Sequence, residues 1–255
     1  MFKNYSKILF LIYKTCKNWY VIIFSKIFKL KLDYIVMRSG LKISLKSKIP
    51  QASLSMLCEI FGYKFYNPIG FEVNDNDIVF DIGANAGFFS LYTAYQNKNS
   101  KVFAFEPVDR LYKMILDSKS NNNLDNLYVN NLAISNTNGE IEFNLSESHD
   151  GCHSLYNRES TDKKITVKTE TLEYFCNSNN ISKIDFLKLD CEGAEYEILL
   201  GLNLDFLKQK IKKISMEYHD DIVEEMTHEV LVKHLEKNNF EVKVTDGFLY
   251  AKNRN

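Results

Sequence analysis

The stretch from Val79 to Phe89, Val-Phe-Asp-Ile-Gly-Ala-Asn-Ala-Gly-Phe-Phe, constrains the fold more than any other part of the chain. A short apolar run over Asp77–Asp81 reads as a buried strand that ends on an acid. A loop of small residues then turns the chain, and helical spacing follows over Phe88–Gln96. Gly83 and Gly87 allow the backbone to approach a ligand closely, and Gly83 can adopt positive φ. The helix N-terminus behind the loop offers free N–H groups and a partial positive charge, which suits an anionic or carboxylate-bearing ligand. The next strand, Lys101–Phe105, runs into Glu106-Pro107. A strand–loop–helix–strand unit of this kind belongs to a mostly parallel sheet covered by helices.

The loop also discriminates between ligands. A dinucleotide fingerprint needs Gly-x-Gly-x-x-Gly, and Asn85 stands where its second glycine would be. Asp81, closing the strand, would repel a pyrophosphate. The same carboxylate suits a ligand carrying an ammonium and a sulfonium, namely S-adenosylmethionine. Glu106, 25 positions on at the end of the next strand, is placed to accept hydrogen bonds from both ribose hydroxyls. The cofactor set expected on these grounds is Asp81, Gly83, Asn85, Gly87, Phe88 and Glu106.

Further along, strand and helix signals keep alternating. A helix is expected over Asp109–Ser118, and strands at Leu127–Asn130, Glu140–Asn144, Ile165–Thr169, Ile184–Leu189 and Lys213–Glu217. Helices follow at Glu195–Leu200 and Glu224–Lys237. Phe240–Val244 and Phe248–Ala251 flank Asp246-Gly247, a strong hairpin signal that requires one antiparallel strand. Upstream, Tyr34–Arg38 and Leu41–Lys46 read as a hairpin turning at Ser39-Gly40, and a short helix is expected over Ser53–Phe61. Asn67-Pro68-Ile69-Gly70 breaks the pattern, so the expected boundary separates an N-terminal extension, 1–70, from a catalytic domain, 71–255.

Charge divides at the same place. Residues 1–70 carry eleven lysines and one arginine against Asp33 and Glu59, a balance of +10, which leaves −11 for the remainder of a chain of net charge −1. A basic arm on an acidic body suits an anionic partner such as lipid headgroups or an acidic protein. The apolar runs Ile8–Tyr13 and Trp19–Phe24 are interrupted by lysines, and neither reaches the roughly 18–20 residues that span a bilayer. No small-residue cleavage site follows them. On one helix, Lys3, Lys7, Lys14 and Lys17 share a face while Ile8, Ile12 and Cys16 turn away from it. Two readings stand for residues 1–30: a helix packed on the domain, or an interfacial anchor with Trp19 and Tyr20 at headgroup level. The five cysteines form no Cys-x-x-Cys pair, so neither zinc site nor disulfide framework is indicated, and a reducing, cytoplasmic setting is expected, with peripheral contact at the inner membrane face under the second reading.

A second motif lies at Asp185–Glu195, Asp-Phe-Leu-Lys-Leu-Asp-Cys-Glu-Gly-Ala-Glu. Asp185, Lys188, Asp190 and Glu192 sit on or just past a strand that otherwise reads as buried, where charge is costly unless paired or functional. Lys188 and Asp190 share strand parity and could pair. Asp190 and Glu192 would emerge at the carboxyl edge beside the Asp81 loop, where open α/β sheets bind ligands. His219 lies just past the following strand and would reach the same rim, with Glu217 able to orient it.

Together the loop DIGANAGFFSL, the strand end FAFEP, the stretch NNLAIS, the motif DFLKLDCEGAE and the segment MEYH resemble the FkbM-type methyltransferases, over about Val73 to Ala251. That resemblance implies a class I Rossmann-like α/β fold: a mostly parallel seven-stranded sheet with one antiparallel strand in the C-terminal hairpin, helices on both faces, and here an N-terminal helix and β-hairpin extension. It implies S-adenosylmethionine as cofactor and a hydroxyl oxygen of a sugar, lipid-linked glycan or related small molecule as acceptor. It also implies a substrate-facing role for the polar insertion holding His149, Asp150, Gly151, His153 and Ser154, for which a plain surface loop is an equal reading.

Methyl transfer needs the acceptor aligned with the activated methyl group and a base within about 3 Å of its proton. Asp190 ranks first as base and His219 second, with Glu192 polarising or orienting. No metal is required, although carboxylates at one rim could host a divalent cation. The rivals are a non-catalytic, membrane-recruited adaptor that keeps the fold and an NAD-binding oxidoreductase. Nucleic acid is not an expected partner, because the body is acidic and no Asn/Asp-Pro-Pro-aromatic motif occurs. The sequence carries no signal of oligomeric state.

Overall fold

A computed structural model describes residues 5–48, 54, 56–145, 163–220, 226–245 and 247–255. Its centre is a seven-stranded sheet in the order β11-β12-β10-β9-β3-β4-β5. The strands are β3 (Ile78–Ile82), β4 (Lys101–Phe105), β5 (Leu127–Asn130), β9 (Phe186–Leu189), β10 (Lys213–Glu217), β11 (Phe240–Thr245) and β12 (Phe248–Asn253). The central pairings are parallel, and β12 runs antiparallel to both of its neighbours. The fold class expected from the sequence is therefore the one observed.

Alternation along the strands sends side chains to two separate apolar clusters. Val79 and Phe186 face one, together with α3 (Phe88–Gln96) and α4 (Asp109–Asn122). Phe80, Ile82, Leu187 and Leu189 face the other, covered by α5 (Leu172–Ser178), α6 (Glu195–Gly201), α7 (Leu204–Lys210) and α8 (His228–Lys237). Parallel strands buried on both faces read as near-continuous apolar runs, and β3 and β9 do so except at Asp81 and Lys188. The strands expected at Glu140–Asn144 and Ile165–Thr169 form β7 (Gly139–Leu145) and β8 (Lys163–Glu170). They belong with β6 (Ala133–Ile134) to a small second sheet rather than to the main one. The insertion between them, with His149 and His153, lies outside the described residues, as does Asp246 of the closing turn.

The single helix expected near the N-terminus is two. α1 (Tyr5–Thr15) and α2 (Trp19–Ile27) break at Cys16–Asn18 because a strand claims those residues. Asn18 donates its amide to the Tyr34 carbonyl at 2.9 Å and accepts from the Val36 N–H at 2.9 Å. These two contacts clamp the break to β1 (Lys31–Val36), which pairs with β2 (Lys42–Lys48). The segment around Leu57 continues into a π-helical turn over Cys58–Tyr63.

Hydrogen bonds tie this extension to the rest. Asn122 on α4 pairs with both backbone groups of Lys42, and Ser118 accepts from the Ser44 N–H at 2.8 Å. Ile12, Ile22, Leu57 and Tyr66 join the same cluster as Val79, Phe89 and Tyr250.

Candidate active site

β3 delivers the chain into a loop with Gly83 at φ 75°, Asn85 at φ 51° and Gly87 at φ 79°. Glycine is obligatory at 83 for a second reason: a Cβ there would stand 1.9 Å from the Asp190 carbonyl oxygen. The two ligand-facing loops thus touch backbone to backbone. At Gly87 a Cβ would meet Ile115 of α4 at 2.8 Å, so that glycine serves helix packing.

Lys188 staples the loops from beneath. Its ammonium donates to the Gly83 carbonyl at 2.9 Å and lies 3.0 Å from an Asp81 oxygen and 3.6 Å from Asp190. Burial alone would depress its pKa, but the Asp81 and Asp190 carboxylates outweigh burial and hold it above the ordinary lysine value. The second oxygen of Asp81 accepts from the Ser90 hydroxyl. Asp81 is fully buried beneath the loop and does not line the cavity above it. Its carboxylate answers the Lys188 ammonium.

That cavity is lined by Gly83, Asn85 and Glu106 on one side and by Asp190, Cys191 and Glu192 on the other, with Phe105, Pro107, Ile134 and Phe143 as apolar wall. Met56 reaches in from the extension. Glu106 accepts from the Asn85 N–H at 2.7 Å and from the Val108 N–H at 2.9 Å. Burial pushes its carboxyl up to about 8, against the lowering effect of those amides. Once ionised, each carboxylate oxygen keeps a lone pair for a further donor, so a diol could be held there. A pocket with a carboxylate for a ribose, an apolar slot for a base and acids facing a cationic group fits S-adenosylmethionine by its chemistry. Phe88 is not part of this lining; it is buried, its ring edge-on to Phe61 at 6.4 Å.

Asp190, Glu192 and His219 converge as expected, with donor atoms within 4.8 Å of one another. Such a trio could grip a divalent cation, but protein groups already engage it. His219 lies 3.5 Å from Glu192 through Nε2 and 3.3 Å from Glu195 through Nδ1. Burial would lower the imidazole pKa, yet the bond to Glu195 and the charges of Glu195, Glu192 and Asp190 raise it to about 9. Glu195, fully buried, also accepts from the Cys191 N–H at 2.5 Å and the Gly193 N–H at 2.8 Å. It therefore shapes the loop that carries Glu192, itself at φ 54°.

Tyr66, from the extension, was not foreseen. Its hydroxyl lies 2.8 Å from Asp190 and 2.9 Å from Glu217. One hydroxyl has one proton, so both contacts are hydrogen bonds only when one carboxyl is protonated. Burial first and the Asp190 charge second lift the Glu217 carboxyl to about 8, which favours the proton on Glu217. Nothing in the sequence around Tyr66 marks it. Glu195, by contrast, closes the Asp185–Glu195 motif and could have been read from its spacing to Glu192.

A family model described as the methyltransferase FkbM domain matches residues 81–242. Among curated relatives, the hexuronic acid methyltransferase AglP of Haloferax volcanii is 26% identical over 132 residues, covering 51% of this chain and 52% of that protein. The 2-O-methyltransferase NoeI of Sinorhizobium fredii is 24% identical over 200 residues, 72% of this chain and 81% of that protein. Among solved structures, M. capricolum TrmK in complex with S-adenosyl-homocysteine matches at 13% identity and a TM-score of 0.42, over 71% of this chain and 62% of that one. The chain thus spans about half the length of the first of these relatives. The family match takes in well over half of the chain, including both ligand-facing loops and the strand before His219, and the chain belongs to the FkbM methyltransferase family of S-adenosylmethionine-dependent enzymes.

Proposed function

We propose that this chain methylates a hydroxyl oxygen of a sugar, glycan or related small-molecule acceptor, with Asp190 as the base. The observation that carries this reading is that Asp190 and Glu192 line the same cavity as Gly83, Asn85 and Glu106. A base one loop away from the cofactor pocket is what an oxygen acceptor needs, since its proton must leave as the new bond forms. Relatives named for a hexuronic acid and for a 2-O position support the acceptor class. Family membership removes the oxidoreductase alternative.

S-adenosylmethionine supplies the activated methyl group. Glu106 would hold its ribose, Gly83 and Asn85 would line the loop side of its site, and Phe105, Pro107, Ile134 and Phe143 would offer an apolar wall for its base. Asp81 acts beneath the loop through Lys188. Asp190 takes the acceptor proton, held in place by Tyr66 and Lys188. His219, an imidazolium at neutral pH, balances Glu192 and Glu195, so that Asp190 does not face a rim of uncompensated acids.

Incubation with S-adenosylmethionine and a panel of uronic acids and glycosides tests this. Acceptor-dependent release of S-adenosylhomocysteine with an O-methyl product is expected. Asp190→Asn should lower turnover by about 10²–10⁴-fold while leaving cofactor affinity within a few-fold. A product methylated on nitrogen or carbon, or an equal loss of affinity and turnover, would overturn the assignment.

A further inference from the structure

α2 is apolar on nearly every side, a pattern that belongs to helices covered all round. Here only one side is covered. Ile22 and Ser25 are buried against the body, while Tyr20, Phe24 and Ile27 form an open stripe at 61%, 54% and 67% exposure, continued by Phe28 at 57%. On α1, Phe10 and Tyr13 are likewise more than half exposed. A ring contact joins the two helices, Tyr13 meeting Trp19 at 5.5 Å, and others run along α2 and its C-cap, Trp19 meeting Tyr20 at 5.9 Å and Phe24 meeting Phe28 at 4.3 Å. Of the sixteen large apolar side chains exposed among the described residues, eight fall within the first 30.

Charge decides what covers this surface. Residues 1–32 contain seven lysines and no acid. Lys7, Lys14, Lys17, Lys29 and Lys31 are exposed around the apolar stripe, Lys14 lying 5.1 Å over the Phe10 ring. A second protein surface would use the aromatic stripe but gain little from an all-lysine rim, and a nucleic acid would use the lysines but leave the stripe wet. An anionic bilayer uses both, taking apolar side chains below its headgroups and lysines among its phosphates.

We propose that α1, α2 and the turn to Lys31 form a docking surface for anionic lipid, on which the chain lies without crossing the membrane. No helix among the described residues is long and apolar enough to cross one. The acidic body, at −11, is repelled by the same surface and faces away from it, which fixes the orientation. The proposal stands whatever the acceptor is.

Trp19 is the sole tryptophan and borders the stripe, so its fluorescence reports directly. The full chain is mixed with phosphatidylcholine vesicles, alone or containing phosphatidylglycerol. Co-sedimentation and a blue-shifted emission are expected only with phosphatidylglycerol, and both should weaken as salt is added. The triple variant Tyr20→Ser, Phe24→Ser, Ile27→Ser should lose binding with an unchanged circular dichroism spectrum. Lys14→Gln and Lys17→Gln should each weaken binding about five-fold. Failure to bind phosphatidylglycerol vesicles overturns the proposal, as does binding that the folded triple variant retains. A lipid-free dimer that the triple variant converts to monomer would give the surface to a second copy instead.

Discussion

Lys188 shows how much a single residue can organise. Its ammonium is buried among Asp81, Asp190 and the Gly83 carbonyl. Removing one partner of a buried ion pair leaves the other charge uncompensated, at a cost of about 3–5 kcal/mol. Lys188→Met should lose that much in urea unfolding, and adding Asp81→Asn should restore a good part of it. A double variant no more stable than Lys188→Met alone would show that Asp81 carries no isolated burden. Gly83→Ala tests the loop contact itself. The new methyl would run into backbone rather than a movable side chain, and the left-handed φ adds about 1–2 kcal/mol. A loss of at least that size, together with weakened S-adenosylmethionine binding in calorimetry, is expected. The pairing of Lys188 with Asp190 could be read from strand parity. The stronger engagement with Asp81 could not, because it depends on β3 and β9 lying side by side in register, Asp81 opposite Lys188.

At the scale of elements, the legible ones were those with a long enough apolar run or a clear period. The sequence places α3, β4, β5 and β10 at the bounds observed. α5 and α7 have seven residues each and no expected counterpart, whereas α6, of the same length, is legible at Glu195–Leu200 behind the Asp185–Glu195 motif. Their caps were nonetheless visible: Thr171 accepts from the Tyr174 N–H, and Asn203 from those of Asp205 and Phe206. The break between α1 and α2 was invisible for a different reason. Cys16–Asn18 carries no proline or glycine, and the chain turns there because β1 supplies hydrogen-bond partners. Asn18→Ala removes two such bonds and should cost about 1–3 kcal/mol, read in the same unfolding experiment. Loss of less than a few tenths would mean that packing of Cys16 and Ile22 holds the break unaided.

For the whole molecule, the cavity is a seam between the main sheet and the extension, since Met56 lines it and Tyr66 holds Asp190. This seam concentrates groups whose protonation differs between folded and unfolded states, and their effects point one way. Burial raises Glu59 to about 7 and Glu106 and Glu217 to about 8, so each favours its neutral form in the fold. Their contribution is present near pH 4.5 and is lost as pH rises through 7–8. For His219, burial opposes and the neighbouring acids prevail, raising it from 6.5 to about 9. The imidazolium therefore stabilises the fold fully below pH 6.5, and that stability is lost as pH rises through about 9. Between pH 4.5 and 9 the folded state binds more protons than the unfolded one, so Tm should fall steadily across this window. His219→Asn should make the fall between 6.5 and 8 shallower, flatten it between 8 and 9, and leave the fall below 6.5 in place. A Tm that instead rises from pH 5 to 9 would mean that these carboxyls are ionised in the fold and that the Glu217–Tyr66–Asp190 chain does not share a proton. Asp190 would then face a charged Glu217 across Tyr66, and its fitness as a base would have to come from elsewhere in the rim.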